Sequence, residues 1–182
     1  MKPNLSIKEL FFNYPTRHWH FEELLKESGL SRAQTNEWLK KLKKDNLIKR
    51  IKPKGKMPYY IADYENPHYQ NTKRLFALNK LHESGLLDYF ASLEKAKSVT
   101  IFGSFSRGDW YKESDIDVFI YGDLDDVYVG QFMPKLKRDI QVFTSRNSKD
   151  LRRLGAPLIR NIIKGITIKG SIPNEVIANA SV

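Results

Sequence analysis

The stretch Ser98–Tyr121 constrains the fold more than any other part of the chain. Its sequence, SVTIFGSFSRGDWYKESDIDVFIY, places an apolar run, a Gly-Ser turn and a second apolar run with two aspartates in close succession. The β-branched and aromatic residues Val99–Phe102 predict a buried strand, and Asp115–Tyr121 predicts another. Two such strands close together indicate the centre of a sheet, with polar groups collected beside the turn.

The turn between these strands has the composition of a phosphate site. Gly103 and Ser104 follow the first strand, where a short helix is expected to begin. Backbone N–H groups and a hydroxyl at such a position favour phosphate, and glycine lets the backbone approach it closely. Arg107 adds a charged donor nearby. We therefore predict that Gly103, Ser104 and Arg107 bind phosphate.

The two aspartates of the second strand form a candidate metal site. Asp115 and Asp117 are two residues apart, so in a strand both side chains leave the same face. Ile116 and Val118 then point to the core. Adjacent carboxylates repel each other unless a cation lies between them. Because the predicted ligands are oxygen atoms alone, Mg²⁺ or Mn²⁺ is the expected ion.

A third acid comes from the predicted strand Arg138–Phe143. Asp139 faces away from its apolar neighbours Ile140 and Val142, so it joins the aspartate pair if the two strands lie side by side. Three carboxylates and a phosphate-binding turn fit metal-assisted nucleotidyl transfer. Asp139 is then the candidate base or a ligand of a second metal ion.

These motifs resemble the signature of a known family. Gly103-Ser104, Arg107-Gly108 and Ser114-Asp115-Ile116-Asp117 are similar to the pattern of the DNA polymerase β-type nucleotidyltransferase superfamily, especially its minimal, MNT-like members. The resemblance covers about Lys97 to Lys169. It implies that Gly103 and Ser104 hold the triphosphate of an NTP such as ATP. It also implies that the metal-binding catalytic residues are Asp115, Asp117 and Asp139.

The resemblance implies transfer of a nucleoside monophosphate, with release of pyrophosphate, to an acceptor that the sequence does not give. MNT-like domains resemble antitoxins that modify a partner toxin, so a toxin tyrosine is one candidate acceptor. A small molecule and a nucleic-acid 3′ end are the others. The alternative is a transcriptional regulator whose transferase-like domain is catalytically silent and serves in ligand sensing or assembly.

Basic residues are concentrated in the first third of the chain. The net charge is +10, and residues 1–65 hold 14 Lys and Arg against 8 Asp and Glu, compared with 17 against 13 in the remainder. Nine of the 17 residues in Lys40–Lys56 are basic, and Asp45 is their one acid. Such a cluster neutralises phosphates and favours a nucleic-acid partner.

The same third predicts three helices and a hairpin. Capping boxes at Ser6–Glu9 and Ser31–Gln34 open the first and third helices, which extend to Phe12 and Asp45; a second helix covers His20–Ser28. Trp38, Leu39 and Leu42 form the predicted buried stripe of the third helix. Strands are predicted at Leu47–Lys52 and Met57–Ala62.

This order resembles a winged helix-turn-helix, whose third helix would enter a DNA groove. Double-stranded DNA is the expected partner, while another nucleic acid or a protein partner remain alternatives. A homodimer on paired half-sites is compatible with such a module. The candidate DNA-binding residues are Arg32, Gln34, Asn36, Lys40, Lys44, Lys54 and Lys56.

The predicted fold class is α+β: an N-terminal winged helix-turn-helix over residues 1–65, a helical connector over 66–96, and a small mixed-sheet nucleotidyltransferase domain over 97–182. The connector helix begins near Asn71 and breaks at Gly85. A short helix at Tyr128–Met133, a helix at Ser148–Lys164 kinked or split at Pro157, and an edge strand at Ile166–Lys169 complete the last domain.

Two further inferences concern environment and the intervening loop. Without cysteine, neither disulfides nor thiolate zinc sites form, and no segment has transmembrane length, so a cytoplasmic protein without a membrane partner is expected. Trp110 and Tyr111 lie between the turn and the aspartates. They either stack on a nucleotide base or cover the small core.

Overall fold

A computed structural model describes residues 6–124 and 126–179. The chain divides into two compact units, Met1–Lys73 with Trp110–Lys112, and Arg74–Asp109 with Glu113–Val182. Residues 1–5 and 180–182, at the outer limits of the predicted domains, lie outside the described part. None of the helices in the described ranges combines the length and apolar character needed to cross a membrane.

The first unit begins with three helices and a hairpin. These elements are α1 (Ile7–Asn13), α2 (Phe21–Ser28), α3 (Arg32–Lys44), β1 (Ile48–Ile51) and β2 (Tyr59–Ala62), the two strands being antiparallel. The backbone of Trp19 pairs with Tyr60 and so adds a single bridge beside β2. The predicted order of three helices and two strands is therefore present, with strand ends one or two residues shorter than expected.

Local capping explains where α3 begins. The Ser31 hydroxyl accepts a hydrogen bond from the Gln34 amide (3.3 Å), and the Gln34 side-chain oxygen accepts one from the Ser31 amide (3.0 Å). This reciprocal pair satisfies two backbone donors that the first turn leaves open, as the sequence predicted. Leu39 and Leu42 are buried below α3, while Trp38 is only half-buried and Thr35 takes the remaining buried position.

Helix α4 (Pro67–Ser84) runs through the boundary between the two units, which falls after Lys73. It begins four residues before the predicted start, because a proline at the first helical position has the required φ and lacks only an N–H that would have no partner there. Gly85, with φ +85°, ends it as expected, and α5 covers Leu86–Ser92.

The second unit is built on a four-stranded sheet. Its strands are β3 (Ala96–Phe102), β4 (Ile116–Gly122), β5 (Ile140–Ser145) and β6 (Ile166–Gly170), in the order β5-β4-β3-β6. β3 is antiparallel to both β4 and β6, whereas β4 and β5 are parallel. The predicted mixed sheet, with its edge strand at β6, is therefore confirmed.

The remaining helices are short and follow the strands. They are α6 (Gly103–Arg107), α7 (Met133–Leu136), α8 (Ser148–Leu154), α9 (Ala156–Ile163) and α10 (Asn174–Ala178). On one face of β4, Phe119 and Tyr121 join a buried cluster with Leu151, Ile159 and Val176 of α8, α9 and α10. Asp117 precedes Phe119 by two residues on the same face, so it lies at the polar end of this core.

Three predicted boundaries were wrong. No helix forms at Tyr128–Met133, because α7 begins at Met133 with a proline in its first turn. Lys137 then adopts a left-handed conformation (φ +54°), which delays β5 to Ile140. The helix at 148–164, predicted to kink or split at Pro157, is split two residues earlier, at Gly155 (φ +77°), and Pro157 lies in the first turn of α9.

Candidate functional site

A cleft of about 440 Å³ opens where β3 ends and β4 begins. All five residues predicted for the phosphate turn and the aspartate pair line it: Gly103, Ser104, Arg107, Asp115 and Asp117. Its walls also include Glu113, Phe143 of β5 and two residues of α9, Leu158 and Asn161. Sequence reasoning missed these wall residues, since none of them lies in the motif.

Gly103 is required by its neighbour Asp117. Gly103 has φ +71°, and a Cβ atom built on it would overlap the Oδ2 atom of Asp117 and lie 3.2 Å from its Cγ. Phe102 pairs with Asp117 across β3 and β4, which brings the carboxylate against the start of α6. The turn therefore needs glycine for two reasons, its left-handed backbone and the space that Asp117 fills.

The carboxylate of Asp117 is electrostatically unfavourable in the protein alone. Burial raises its pKa above the ordinary value, the charge of Asp115 raises the pKa further, and only Arg107 opposes these effects. Both causes disfavour the ionised form, and the charge of a bound cation would oppose them. The site thus combines oxygen ligands with negative charge that Arg107 alone opposes, and both features fit a hard divalent ion.

Asp115 lies immediately before β4 and has a partner that sequence reasoning missed. Its Oδ2 atom accepts a hydrogen bond from the side-chain amide of Gln141 on β5. In the parallel register Gln141 stands directly opposite Asp117. The strand period of two, counted from Asp139, could have indicated this residue, because positions 139 and 141 share a face.

Asp139 is placed differently from the other two aspartates. Asp139 directly precedes the first residue of β5. Its backbone carbonyl accepts a hydrogen bond from the Ile116 amide (2.9 Å), and its side chain is exposed. It is not among the residues that line the cleft. Within residues 6–124 and 126–179, no group of three Asp, Glu, His or Cys residues is arranged to hold a metal ion. The structure therefore brings together Asp115 and Asp117 but not Asp139.

Ser104 and Arg107 line the same cleft as the two aspartates. Helix α6 ends at Arg107, and the amide of the next residue, Gly108, caps it by donating a hydrogen bond to the Ser104 carbonyl (2.9 Å). The Nε atom of Arg107 bonds to Asp109 at 2.8 Å, and the Arg107 side chain is half exposed. A guanidinium has five N–H donors, so this contact leaves capacity for an anion.

Trp110 and Tyr111 do not line the cleft. Trp110 is buried within the first unit, edge-on to Phe12, with the Lys73 ammonium 4.3 Å from its ring centroid. Tyr111 is about half exposed. Of the two roles considered for this pair, covering a small core describes Trp110.

The predicted DNA-binding residues separate into three groups. Asn36, Lys40 and Lys44 line an open cleft of about 450 Å³ on the first unit, together with Lys43 and Arg50, which the candidate set omitted. Arg32 instead pairs with Glu22 at 2.6 Å, and Gln34 is used in the capping box. Lys54 and Lys56 are exposed in the turn between β1 and β2.

Comparison with known proteins finds similarity to a nucleotidyltransferase domain in the part of the chain that forms the first cleft. Residues 83–165 match the family model described as a nucleotidyltransferase domain. A protein of Methanocaldococcus jannaschii, MJ0604, whose name proposes a protein adenylyltransferase, is 48% identical over 42 residues. These residues are 23% of this chain and 42% of that protein, so the chain spans less than half of the relative's length. The matched range includes every residue that lines the cleft.

Two solved structures overlap part of the chain. A crystal structure of a toxin–antitoxin with AMP-PNP covers 57% of this chain and 80% of its own, with 21% identity and a TM-score of 0.37. A crystal structure of a mutant toxin–antitoxin MntA-HpeT covers 59% and 80%, with 15% identity and a TM-score of 0.33. Similarity this low supports no conclusion about the site.

Proposed function

We propose that the chain is a nucleotidyltransferase that uses Mg²⁺ or Mn²⁺ to move a nucleoside monophosphate from an NTP to an acceptor hydroxyl. The observation that carries this proposal is the meeting of Asp115 and Asp117 with Gly103 and Ser104 in one cleft. Carboxylates for a metal ion and donors for a phosphate are the two requirements of the reaction. The domain match over residues 83–165 supports the same reaction class.

The reaction forms one bond and breaks one bond at the α-phosphorus. The acceptor oxygen attacks this atom, the bond to the oxygen that bridges to the β-phosphorus breaks, and pyrophosphate leaves with its electron pair. The acceptor proton passes to solvent. Asp115 and Asp117 would hold the divalent ion, which supplies charge neutralisation at the triphosphate and lowers the pKa of the attacking hydroxyl.

The other cleft residues would bind and orient the NTP. The Ser104 hydroxyl and the Arg107 guanidinium suit the phosphate oxygens, since both are hydrogen-bond donors and Arg107 also brings charge. The exposed side chain of Asp139 does not line the cleft. A role for Asp139 as the base or as a metal ligand therefore remains a prediction from sequence.

The name of the M. jannaschii relative favours one donor and one acceptor among the alternatives. It points to ATP as the donor and to a protein hydroxyl as the acceptor. A toxin partner whose tyrosine receives the adenylyl group would fit this choice and an antitoxin role. The acceptor hydroxyl would then enter the cleft from solvent, where the aspartates and Ser104 are accessible.

The enzyme proposal is tested by pyrophosphate release. Purified protein is incubated with Mg²⁺ and each of ATP, CTP, GTP and UTP, with and without a pool of candidate acceptor proteins. We expect release that the combined changes Asp115→Ala and Asp117→Ala abolish. Asp88→Ala, a change at an exposed aspartate of α5, is the matched control and should keep full activity. Equal release by the double variant, or none by the unaltered protein, would refute the proposal.

A second proposed function is DNA binding by the first unit as a winged helix-turn-helix. The observation behind it is the basic cleft, where Lys40, Lys43, Lys44 and Arg50 come together on and beside α3. Four cations in one open cleft suit the closely spaced phosphates of a duplex. A transcriptional regulator with a catalytically silent second domain would need only DNA binding. An autoregulated antitoxin would need both DNA binding and nucleotidyl transfer.

Salt dependence tests the DNA proposal. Binding of a fluorescent duplex should weaken steeply with salt, and Lys40→Ala with Lys44→Ala should lower the slope of log K against log salt by about 2, or about 0.9 per lost phosphate contact. Lys26→Ala on α2 is the control, as an exposed lysine outside the cleft. No binding at low salt would remove this function. Binding that persists in an inactive aspartate double variant would separate it from catalysis.

A further inference from the structure

The position opposite Asp117 on the neighbouring strand is occupied by a neutral amide. β4 and β5 run parallel with Asp117 paired to Gln141, so the two side chains leave the sheet side by side. The Gln141 amide donates to the Oδ2 atom of Asp115. One glutamine thus stands beside both aspartates of the proposed metal site, where a carboxylate would have added a further anionic ligand.

The hydrogen bond from Gln141 limits how the Asp115 carboxylate can turn. Asp115 precedes β4 and therefore lacks the full strand pairing that fixes Asp117. An amide that donates to one carboxylate oxygen leaves the other oxygen free to bind a cation. Such outer partners orient ligands, and their loss typically weakens metal binding about 10–100-fold.

The charge of the cleft suits a single divalent ion. Three carboxylates, Glu113, Asp115 and Asp117, and one guanidinium, Arg107, line it, which gives a formal charge of −2. Among the described residues, no three Asp, Glu, His or Cys side chains are arranged so that they could hold a metal ion. A second divalent ion would therefore lack protein ligands until the oxygens of a nucleotide supplied them.

We infer that the protein alone binds one divalent cation between Asp115 and Asp117, and that Gln141 is the positioning residue that holds Asp115 for it. The inference rests on the proposed function, because it concerns the same site. It goes further in assigning Gln141 a role and in limiting the nucleotide-free protein to one ion.

Titration of the full chain with Mn²⁺ in the absence of nucleotide tests this inference. Electron paramagnetic resonance of free Mn²⁺ gives the number of bound ions and their affinity without any turnover. We expect one ion per chain. Gln141→Leu, which keeps the side-chain size but removes the amide, should weaken binding about ten-fold or more.

Asp139→Asn is the decisive control. If Gln141 and not Asp139 completes the site, this change leaves the Mn²⁺ affinity unaltered. Two ions bound without nucleotide, no Mn²⁺ binding at all, unchanged affinity in Gln141→Leu, or a loss in Asp139→Asn as large as in Asp115→Asn would each overturn the inference. These outcomes are independent of whether nucleotide is transferred, so a protein that binds one ion but releases no pyrophosphate refutes the proposed function and leaves this inference standing.

Discussion

Replacement of Gly103 by alanine is the sharpest single perturbation of the candidate site. Gly103 has φ +71°, and the added methyl group would occupy the space of the Asp117 carboxylate. The side chain of Asp117 must then rotate, or the turn before α6 must move. Either response takes one of the two proposed metal ligands out of position.

The expected loss of stability combines two costs. A left-handed backbone costs a residue with a Cβ about 1–2 kcal/mol, and turning Asp117 off its rotamer costs about 0.5–1.5 kcal/mol more. The change should therefore lower the free energy of unfolding by about 1.5–3.5 kcal/mol. For a chain of this length each kcal/mol lowers Tm by about 2–4 °C.

Gly85→Ala separates these two costs. Gly85 also has a positive φ (+85°) and lies in the second unit, but an added Cβ there meets only Phe132, at an ordinary 3.8 Å. It should show the backbone cost alone, about 1–2 kcal/mol. In thermal unfolding with EDTA or Mn²⁺, Gly85→Ala should keep the metal-dependent rise in Tm and Gly103→Ala should lose it. An undiminished rise in Gly103→Ala would refute the role assigned to this contact.

Three other changes have defined outcomes. Because the folded pKa of Asp117 is raised, ionisation destabilises the metal-free fold as pH rises from the ordinary carboxylate pKa through the raised one. Asp117→Asn should therefore increase Tm in EDTA at neutral pH, with the gain vanishing in acid; a Tm below that of the unaltered protein at neutral pH would contradict this. Asn147 caps α8, because its Oδ1 atom accepts a hydrogen bond from the Lys149 amide (2.9 Å). Asn147→Ala should therefore lower the free energy of unfolding, measured with denaturant, by about 1 kcal/mol. Phe119→Ala empties a fully buried position and should cost about 3–5 kcal/mol, and a loss below about 1 kcal/mol would show that the core collapses around it.

The aspartate pair and the Gly-Ser turn could be predicted from sequence because their geometry is local. Residues two apart in a strand share a face whatever surrounds them, which placed Asp115 and Asp117 together. The strand end at Phe102 and the conformational freedom of Gly103 are likewise encoded within a few residues. All of these predicted residues line the cleft in the structure.

The strand period places Asp139 and Gln141 on one face of β5, but which of them meets the aspartates could not be predicted in the same way, because it depends on where that strand begins. Lys137 adopts a left-handed conformation after α7, so regular pairing begins at Ile140 and places Gln141 opposite Asp117. The apolar pattern alone allowed a strand from Lys137, with Asp139 in the cluster. Register between strands distant in the chain is set by pairing and packing, which local sequence does not specify.

The helical part of the fold shows the same division. The Ser31–Gln34 capping box was predicted because both of its hydrogen bonds lie within four residues. The break between α8 and α9 was expected at Pro157 and occurs at Gly155. A proline in the first turn of a helix is favourable, so the glycine with positive φ became the end point.

The most direct test of the central claim follows two labels of the same nucleotide. Protein, Mg²⁺ and candidate acceptor proteins are incubated with ATP labelled at the α-phosphorus and, in parallel, at the γ-phosphorus. Nucleotidyl transfer at the Asp115–Asp117 site predicts α-label on the acceptor, γ-label in pyrophosphate alone, and neither product with Asp115→Ala plus Asp117→Ala. Transfer of the γ-label to the acceptor, or α-labelling that survives the double change, would contradict it.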